Sequence, residues 1–163
     1  MDSRVKTLIG AVALFAVIIV AVVIGQSGGD DEPAEPATAE RQDKPEVEIP
    51  EGDPPKELVI EDLEEGEGDE ATAGDQLTVD YVGVLYDGGD EFDESFSKPE
   101  PFQFALGQGS VIPGWDEGLE GMKVGGRRQL VIPPNLAYGP QGQPPDIPPD
   151  STLVFVIDLL AIN

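Results

Sequence analysis

The stretch VIPGWDEGL, residues 111–119, places the chain's single tryptophan, Trp115, on a short helix directly after two aliphatic residues. Pro113 marks the helix start, because proline presets φ and lacks the N–H that a first turn leaves unpaired. Trp115, Leu119 and Met122 recur at i, i+4 and i+7, which is one face of a helix of roughly two to three turns. Such a tryptophan is either an ordinary core residue or the floor of an apolar pocket.

Alternating apolar residues on both sides of this helix predict β-strands. One face of a predicted strand carries Leu77, Val79, Tyr81, Gly83 and Leu85. Residues 102–106, 127–132 and 153–161 give further strands, and residues 58–63 add an outer one. The elements predict an α+β fold in which a curved antiparallel β-sheet wraps around one short α-helix and buries Trp115 between them.

The composition excludes several kinds of active site. The chain has 163 residues, a formal net charge of −24, and neither cysteine nor histidine. A Ser-His-Asp or Cys-His nucleophile, a zinc site of the usual nitrogen and sulfur type, and a disulfide framework are therefore excluded, and we expect no metal and no cofactor. The 33 acids against 9 basic residues repel phosphate, so nucleic acid is not an expected partner.

The N-terminal residues predict a membrane anchor. Residues 8–25, LIGAVALFAVIIVAVVIG, are uncharged, and as a helix they would span about 27 Å, close to the thickness of a bilayer core. Arg4 and Lys6 precede this run and acids follow it, so the positive-inside rule places residues 1–7 in the cytoplasm and the remainder outside. We predict an uncleaved, single-pass signal anchor in the cell membrane, and a cleaved signal that yields a secreted protein is the alternative.

Residues 26–56 differ from the rest of the chain in composition. They combine many acids with several prolines and few large apolar residues, which predicts an extended, disordered linker. Residues 57–163 then form one folded domain, in which we expect the function to lie.

Three segments of this domain carry a family resemblance: VDYVGVLYDGGDEFDES at 79–95, PFQFALGQGSVIPGWDEGLEGMKVGGRRQLVIPPNLAYG at 101–139, and IPPDSTLVFVIDLL at 147–160. In their order and spacing they resemble the FKBP-type peptidyl-prolyl isomerases. The resemblance implies a strongly curved antiparallel sheet around one helix, with the proline of a substrate lying over Trp115. It also implies binding of macrolides of the rapamycin type.

The resemblance also implies a site, position by position. It implies that the catalytic residues are Tyr81, Asp93 and Tyr138. It implies that the substrate-binding residues are Phe92, Phe102, Val111, Ile112, Trp115, Ile147 and Phe155. The family also typically has a basic side chain in the loop after its Phe-Asp pair, and Lys98 is the nearest candidate for it. Gln143 and Asp146 depart from the family's pattern in the flap, the segment between Tyr138 and Pro148, where histidine and an aliphatic residue are common, and we expect them to alter substrate preference.

The sequence therefore predicts a membrane-anchored prolyl isomerase for proline-containing unfolded or nascent exported polypeptides. Amide rotation needs no nucleophile, so desolvation and orientation in an aromatic pocket suffice. A non-catalytic proline-peptide-binding module or chaperone on the cell surface is the alternative, and an acidic structural stalk ranks last because it leaves the ordered aromatics without a reason. Asp116, Glu117 and Glu120 are expected to serve the helix dipole and solvent rather than catalysis.

Overall fold

The computed structural model describes residues 38–163, so the predicted anchor at residues 8–25 lies outside the described residues. The described part folds into one antiparallel sheet of six strands with one short α-helix. The elements are β1 (Val59–Glu64), β2 (Gln76–Leu85), β3 (Glu91–Glu94), β4 (Phe102–Ala105), α1 (Pro113–Gly118), β5 (Arg127–Ile132) and β6 (Leu153–Ile162), with single 3-10 turns at Pro134–Leu136 and Gly139–Gln141. An antiparallel sheet with one short helix confirms the predicted fold class. Within residues 38–163, no helix has the length and apolarity to cross a membrane.

The strand order is β1-β5-β6-β2-β3, and β4 also pairs with β2. The two ten-residue strands β2 and β6 lie side by side at the centre. On the other edge of β2, β4 pairs with its first half and β3 with its second half. This register sets Phe102 opposite Val79 and Asp93 opposite Gly83, so both short strands bring candidate site residues to β2.

One face of the sheet, the helix face, packs against α1. Alternation along the strands gives it a row of buried apolar residues: Leu77, Val79, Tyr81, Leu130, Ile132, Leu153, Phe155, Ile157 and Leu159. Trp115 on α1, and Leu119 and Met122 in the turn that follows it, close this core from the helix side. Each large side chain buried in this way contributes about 1.5–3 kcal/mol of hydrophobic stabilisation.

Helix α1 has six residues and is shorter than the two to three turns expected from the apolar spacing. It lies close to β5, because a Cβ on Gly118 would come within 2.7 Å of the Leu130 side chain. The buried Arg128 donates to the carbonyl oxygens of Gly118 (2.9 Å) and Glu120 (3.2 Å). A cation thereby satisfies carbonyls that the helix end leaves unpaired, and the chain then turns at Gly121, where φ is +81°.

The opposite face of the sheet, the outer face, is also buried. Its buried residues are Asp80, Val82, Val84, Val131, Val154, Val156 and Asp158. Residues 38–53, which we call the arm, lie against this face, with Val47 and Ile49 packed on its valine cluster. Arg41 forms an ion pair with the outer-face carboxylate of Asp80.

The arm differs from the disordered linker expected over residues 26–56. From residue 38 onward, the segment makes specific hydrogen bonds to the sheet: the Ala39 N–H donates to the Leu160 carbonyl (2.7 Å), and the Tyr86 hydroxyl donates to the Pro50 carbonyl (2.9 Å). The physical reason is that both sides of β2 and β6 are apolar and need cover, which two aliphatic side chains of the arm supply despite its acidic composition.

Candidate functional site

A cavity of about 250 Å³ lies over the indole of Trp115. Its lining residues are Tyr81, Phe92, Asp93, Phe102, Ser110, Val111, Ile112, Trp115, Tyr138 and Phe155. The structure thus brings together every predicted site residue except Ile147. A larger cavity, of about 580 Å³, lies between the arm and residues 148–152, but it lacks the converging aromatic rings. We therefore assign the smaller cavity as the candidate active site.

Two residues differ from the predicted lining. Ile147 is only 2% exposed and belongs to the core, because the flap folds back on itself through paired backbone hydrogen bonds between Gln143 and Ile147 (2.8 and 2.9 Å). Asp146, next to it, is exposed. Ser110 lines the cavity but was not predicted, since a serine in a turn before a helix has no distinctive sequence signal.

The floor of the cavity is a cluster of edge-to-face rings. The ring centroid of Trp115 lies 5.1 Å from that of Tyr81, 5.3 Å from Phe155 and 6.1 Å from Phe102, with interplanar angles of 79–86°. Phe104 packs beside the indole at 5.5 Å but is buried in the core. This arrangement, favoured by the ring quadrupoles, makes a rigid apolar surface. The indole Nε1 is buried and has no acceptor among the described residues.

Gly83 gives two of these rings their space. A Cβ at this position would lie 2.6 Å from Phe155 and 2.7 Å from Phe92, well inside van der Waals contact. The centroids of these two rings lie 5.5 Å apart, and the rings pack edge to face. The alternation of β2 places Gly83 on the helix face, but this close approach of two rings could not be read from the sequence.

The Tyr81 hydroxyl donates a 2.6 Å hydrogen bond to the carboxylate of Asp93. That carboxylate also accepts from the Glu94 N–H (2.9 Å) and lies 3.4 Å from the Lys98 ammonium. Burial, and then the bond to Asp93, raise the pKa of Tyr81, so its hydroxyl stays protonated. Lys98 lies 5.8 Å from the centroid of the Tyr81 ring, which places the basic side chain expected from the resemblance at this edge of the cavity.

Tyr138 and Ile112 offer hydrogen-bond donors on the cavity wall. Burial, and then the negative charge of Asp93, raise the pKa of Tyr138, and no protein acceptor among the described residues engages its hydroxyl. Ile112 stands directly before α1 in an extended conformation (φ −59°, ψ 148°), and its N–H has no backbone acceptor within residues 38–163. Both donors are therefore available to a ligand.

The side chain of Asp116 holds a turn by hydrogen bonds to backbone N–H groups. Its carboxylate accepts hydrogen bonds from the N–H groups of Gly107 (2.8 Å) and Gly109 (3.1 Å). These bonds hold the turn that leads into Ser110 and Val111 on the cavity wall. The acid therefore shapes the entrance to the helix, whereas the sequence predicted only an interaction with the helix dipole and solvent.

Comparison with known proteins assigns the fold to a family. Residues 68–160 match the family described as FKBP-type peptidyl-prolyl cis-trans isomerase. The chain is 53% identical over 121 residues to an FK506-binding protein of Streptomyces anulatus, covering 74% of this chain and 98% of that protein. It is 50% identical over 119 residues to a probable FK506-binding protein of Corynebacterium glutamicum, covering 73% and 98%. The crystal structure of FkpA from Escherichia coli matches with a TM-score of 0.59 and 49% identity, over 65% of this chain and 48% of that one. The chain therefore belongs to the FKBP family and is a peptidyl-prolyl cis-trans isomerase.

Proposed function

We propose that this isomerase accelerates X-Pro rotation in unfolded or nascent exported polypeptides, and that it does so in the cavity over Trp115. The observation that carries the proposal is the convergence of aromatic walls and free donors on this one cavity. The apolar residues 8–25 and their flanking charges support a single-pass anchor with the isomerase domain outside the cytoplasm. Cleavage of that segment would instead release a secreted enzyme.

The proposed catalysis is desolvation without a covalent intermediate. The X-Pro bond is slow because twisting the amide breaks resonance, with a barrier of about 18–20 kcal/mol. The planar amide is charge-separated, whereas the twisted transition state localises the lone pair on nitrogen. A cavity walled by Phe102, Trp115 and Phe155 excludes water and so favours the twisted state, while it holds the pyrrolidine ring by hydrophobic contact.

The polar groups would fix the substrate so that only one amide rotates. The Ile112 N–H and the Tyr138 hydroxyl would donate to substrate carbonyl oxygens on either side of the proline. Asp93 would act by orientation, because an ionised carboxylate has no proton to donate and this one already holds the Tyr81 hydroxyl. Phe92 and Val111 would complete the walls, and Ile147 would support the flap from the core.

The same cavity is proposed to bind macrolides, since the two relatives above are named FK506-binding proteins. The exposed flap residues Gln143 and Asp146 are proposed to set the preference for the residue before proline. Competition between a macrolide and a proline peptide for the full chain would test whether both ligands occupy one cavity.

The test of the catalytic proposal is proline-limited refolding of a substrate protein, without a coupled protease, using the full chain in mild detergent. Phe102→Ala is the informative variant, because this ring lines the cavity yet is 39% exposed, so its loss costs little stability. We expect kcat/KM to fall roughly tenfold. Leu63→Ala, which removes a side chain of similar exposure from β1, is the matched control and leaves activity unchanged.

Two outcomes would overturn the proposal. Equal activity of Phe102→Ala and Leu63→Ala would place the site elsewhere. In that case we would also expect Trp115→Ala and Asp93→Ala to keep full activity in the molecules that remain folded. Absence of acceleration by the wild-type chain, with peptide binding retained, would favour the non-catalytic binding module. Protease added to intact cells tests the location, because an extracytoplasmic domain is cut from outside.

A further inference from the structure

Two buried carboxylates face each other on the outer face of the sheet. Asp80 on β2 is fully buried and pairs in register with Asp158 on β6, which is 2% exposed. Like charges directly opposite on neighbouring strands repel, and each needs its own cation in a desolvated position. Asp158 is neutralised from within the sheet by Arg127 on β5, through hydrogen bonds of 2.6 and 2.7 Å.

The cation for Asp80 comes from the arm. The Arg41 guanidinium donates two hydrogen bonds to this carboxylate, Nε to Oδ2 at 2.6 Å and Nη2 to Oδ1 at 2.8 Å. This bidentate geometry gives a strong and directional ion pair. Arg41 is the only cation that pairs with Asp80 among residues 38–163.

The same guanidinium holds the loop that follows β3. It donates to the carbonyl oxygens of Ser95 (3.3 Å), Lys98 (3.2 Å) and Pro99 (3.3 Å). One side chain of the arm therefore fixes residues 95–99 to the outer face of β2. Lys98, on this loop, extends its ammonium to Asp93 at the edge of the cavity.

A second connection runs through Ser95, which is fully buried. Its hydroxyl donates to Asp80 (2.6 Å) and accepts from the N–H of Tyr81 (2.9 Å), and its own N–H donates to the carbonyl of Tyr81 (3.0 Å). Tyr81 in turn donates to Asp93 across the cavity edge. Thus Asp80 and Tyr81, adjacent on β2 and directed to opposite faces, link the arm to the site.

We propose that Arg41 is a positioning residue of the isomerase: the arm, through Arg41, holds residues 95–99 and thereby sets the placement of Tyr81, Asp93 and Lys98 at the cavity edge. The inference rests on the cavity assigned under the proposed function. It makes the arm part of the isomerase domain, although the arm precedes the residues matched to the family and lies on the face of the sheet opposite the cavity.

The test uses Arg41→Lys in the full chain, under conditions in which urea unfolding curves show every variant to be folded. Lysine keeps a positive charge near Asp80 but lacks the planar fork that also reaches three carbonyls. We expect kcat to fall roughly fivefold with little change in KM. Lys44→Gln is the control, because Lys44 lies on the same arm and forms only an exposed ion pair with Glu91.

A double-mutant cycle with Lys98→Ala separates positioning from general stability. If Arg41 acts through the loop, the losses in kcat from Arg41→Lys and Lys98→Ala are not additive, whereas a purely structural effect adds to the loss from Lys98→Ala. Should Arg41→Lys fail to fold, Arg41→Gln with Asp80→Asn replaces it, because this pair removes the buried charge together with its partner.

The outcomes distinguish this inference from the function beneath it. Unchanged kcat in Arg41→Lys, or strict additivity of its loss in kcat with that of Lys98→Ala, overturns the positioning role. If Phe102→Ala still loses activity in that case, the proposed function stands. If Phe102→Ala is also fully active, the assigned cavity is wrong and the positioning role falls with it. Lower kcat with non-additivity supports the inference.

Discussion

The two faces of the sheet are buried in different ways. The helix face is covered by α1 and filled with aliphatic and aromatic side chains, and it leaves a cavity over Trp115. The outer face is covered by the arm, and its interior combines valines with two arginine-paired aspartates. The same strand, β2, serves both, since Tyr81 and Asp80 are consecutive residues. The face that carries the assigned cavity is therefore connected, through β2, to the face behind it.

The two faces also differ in what holds them. Hydrophobic area stabilises the helix face without directional demands, apart from the ring geometry. On the outer face, burial raises the pKa of Asp158 while the hydrogen bond from Arg127 opposes that rise. Buried ion pairs add little net stability, but they tolerate only one geometry. The two pairs on the outer face therefore restrict the positions of the residues that form them.

The largest expected effect is on the helix face. Leu130→Ala removes a fully buried side chain from the core beneath α1, and we expect the free energy of unfolding to fall by about 2–5 kcal/mol. Urea unfolding followed by Trp115 fluorescence measures it. Ile60→Ala, which truncates an exposed side chain on β1, serves as the reference and should change stability by less than about 0.5 kcal/mol. Equal losses would mean that the core is misassigned.

The next effect sharpens the role of the cavity. Gly83→Ala places a methyl group against Phe92 and Phe155, which must shift, and we expect a loss of about 1–3 kcal/mol in stability. Because both rings line the cavity, kcat/KM should fall as well, even where the variant is fully folded. A variant with lowered stability but wild-type kcat/KM would show that the placement of these two rings does not matter for catalysis.

A smaller effect is expected on the outer face. Ile49→Ala removes part of a half-buried contact with the valine cluster, and we expect about 1 kcal/mol of destabilisation. Hydrogen exchange should become faster in the arm and along the adjacent valines. Glu48→Ala, which changes an exposed neighbour, is the matched variant. If both substitutions have the same small effect, the arm does not pack on the sheet in solution.

The smallest effect concerns pH. The pKa values of Tyr81 and Tyr138 are raised in the folded state, mainly by burial. The stability they contribute is therefore complete below the free tyrosine value of about 10 and is lost as pH rises through their higher folded values. Phenolate absorbance, compared with Tyr81→Phe and Tyr138→Phe variants, measures this, and ionisation of either residue below about pH 9 would contradict it.

Much of the fold could be predicted from local pattern. The alternation along β2 and β6 placed the sheet side of the core, because side-chain direction follows directly from backbone period. The spacing of Trp115, Leu119 and Met122 identified three core residues, although the helix ends at Gly118. The site residues came from family resemblance, and all but Ile147 line the cavity. Ile147 does not line the cavity because the flap's backbone pairing buries it, and this pairing depends on contacts that no periodicity reports; its role in substrate binding stays a prediction.

The arm shows where composition misleads. Acids and prolines predicted disorder over residues 26–56, yet Val47 and Ile49 alternate with exposed glutamates and pack on the sheet. A signal was present, since Val82, Val84, Val154 and Val156 make the outer positions of the central strands apolar, and an apolar outer face needs a cover. The sequence did not say which segment supplies it.

Local periodicity and residue types in a fixed order were enough to predict five of the six strands, the start of the helix, the aromatic set and the family, but not β3, which carries Phe92 and Asp93. The folded structure was needed to show that Gly83 makes room for two rings, that Ile147 is buried, and that Arg41 reaches the buried carboxylate of Asp80. The reason is physical: close packing and ion pairing join residues far apart in the chain, and the free energy of each contact depends on a distance that only the folded chain fixes.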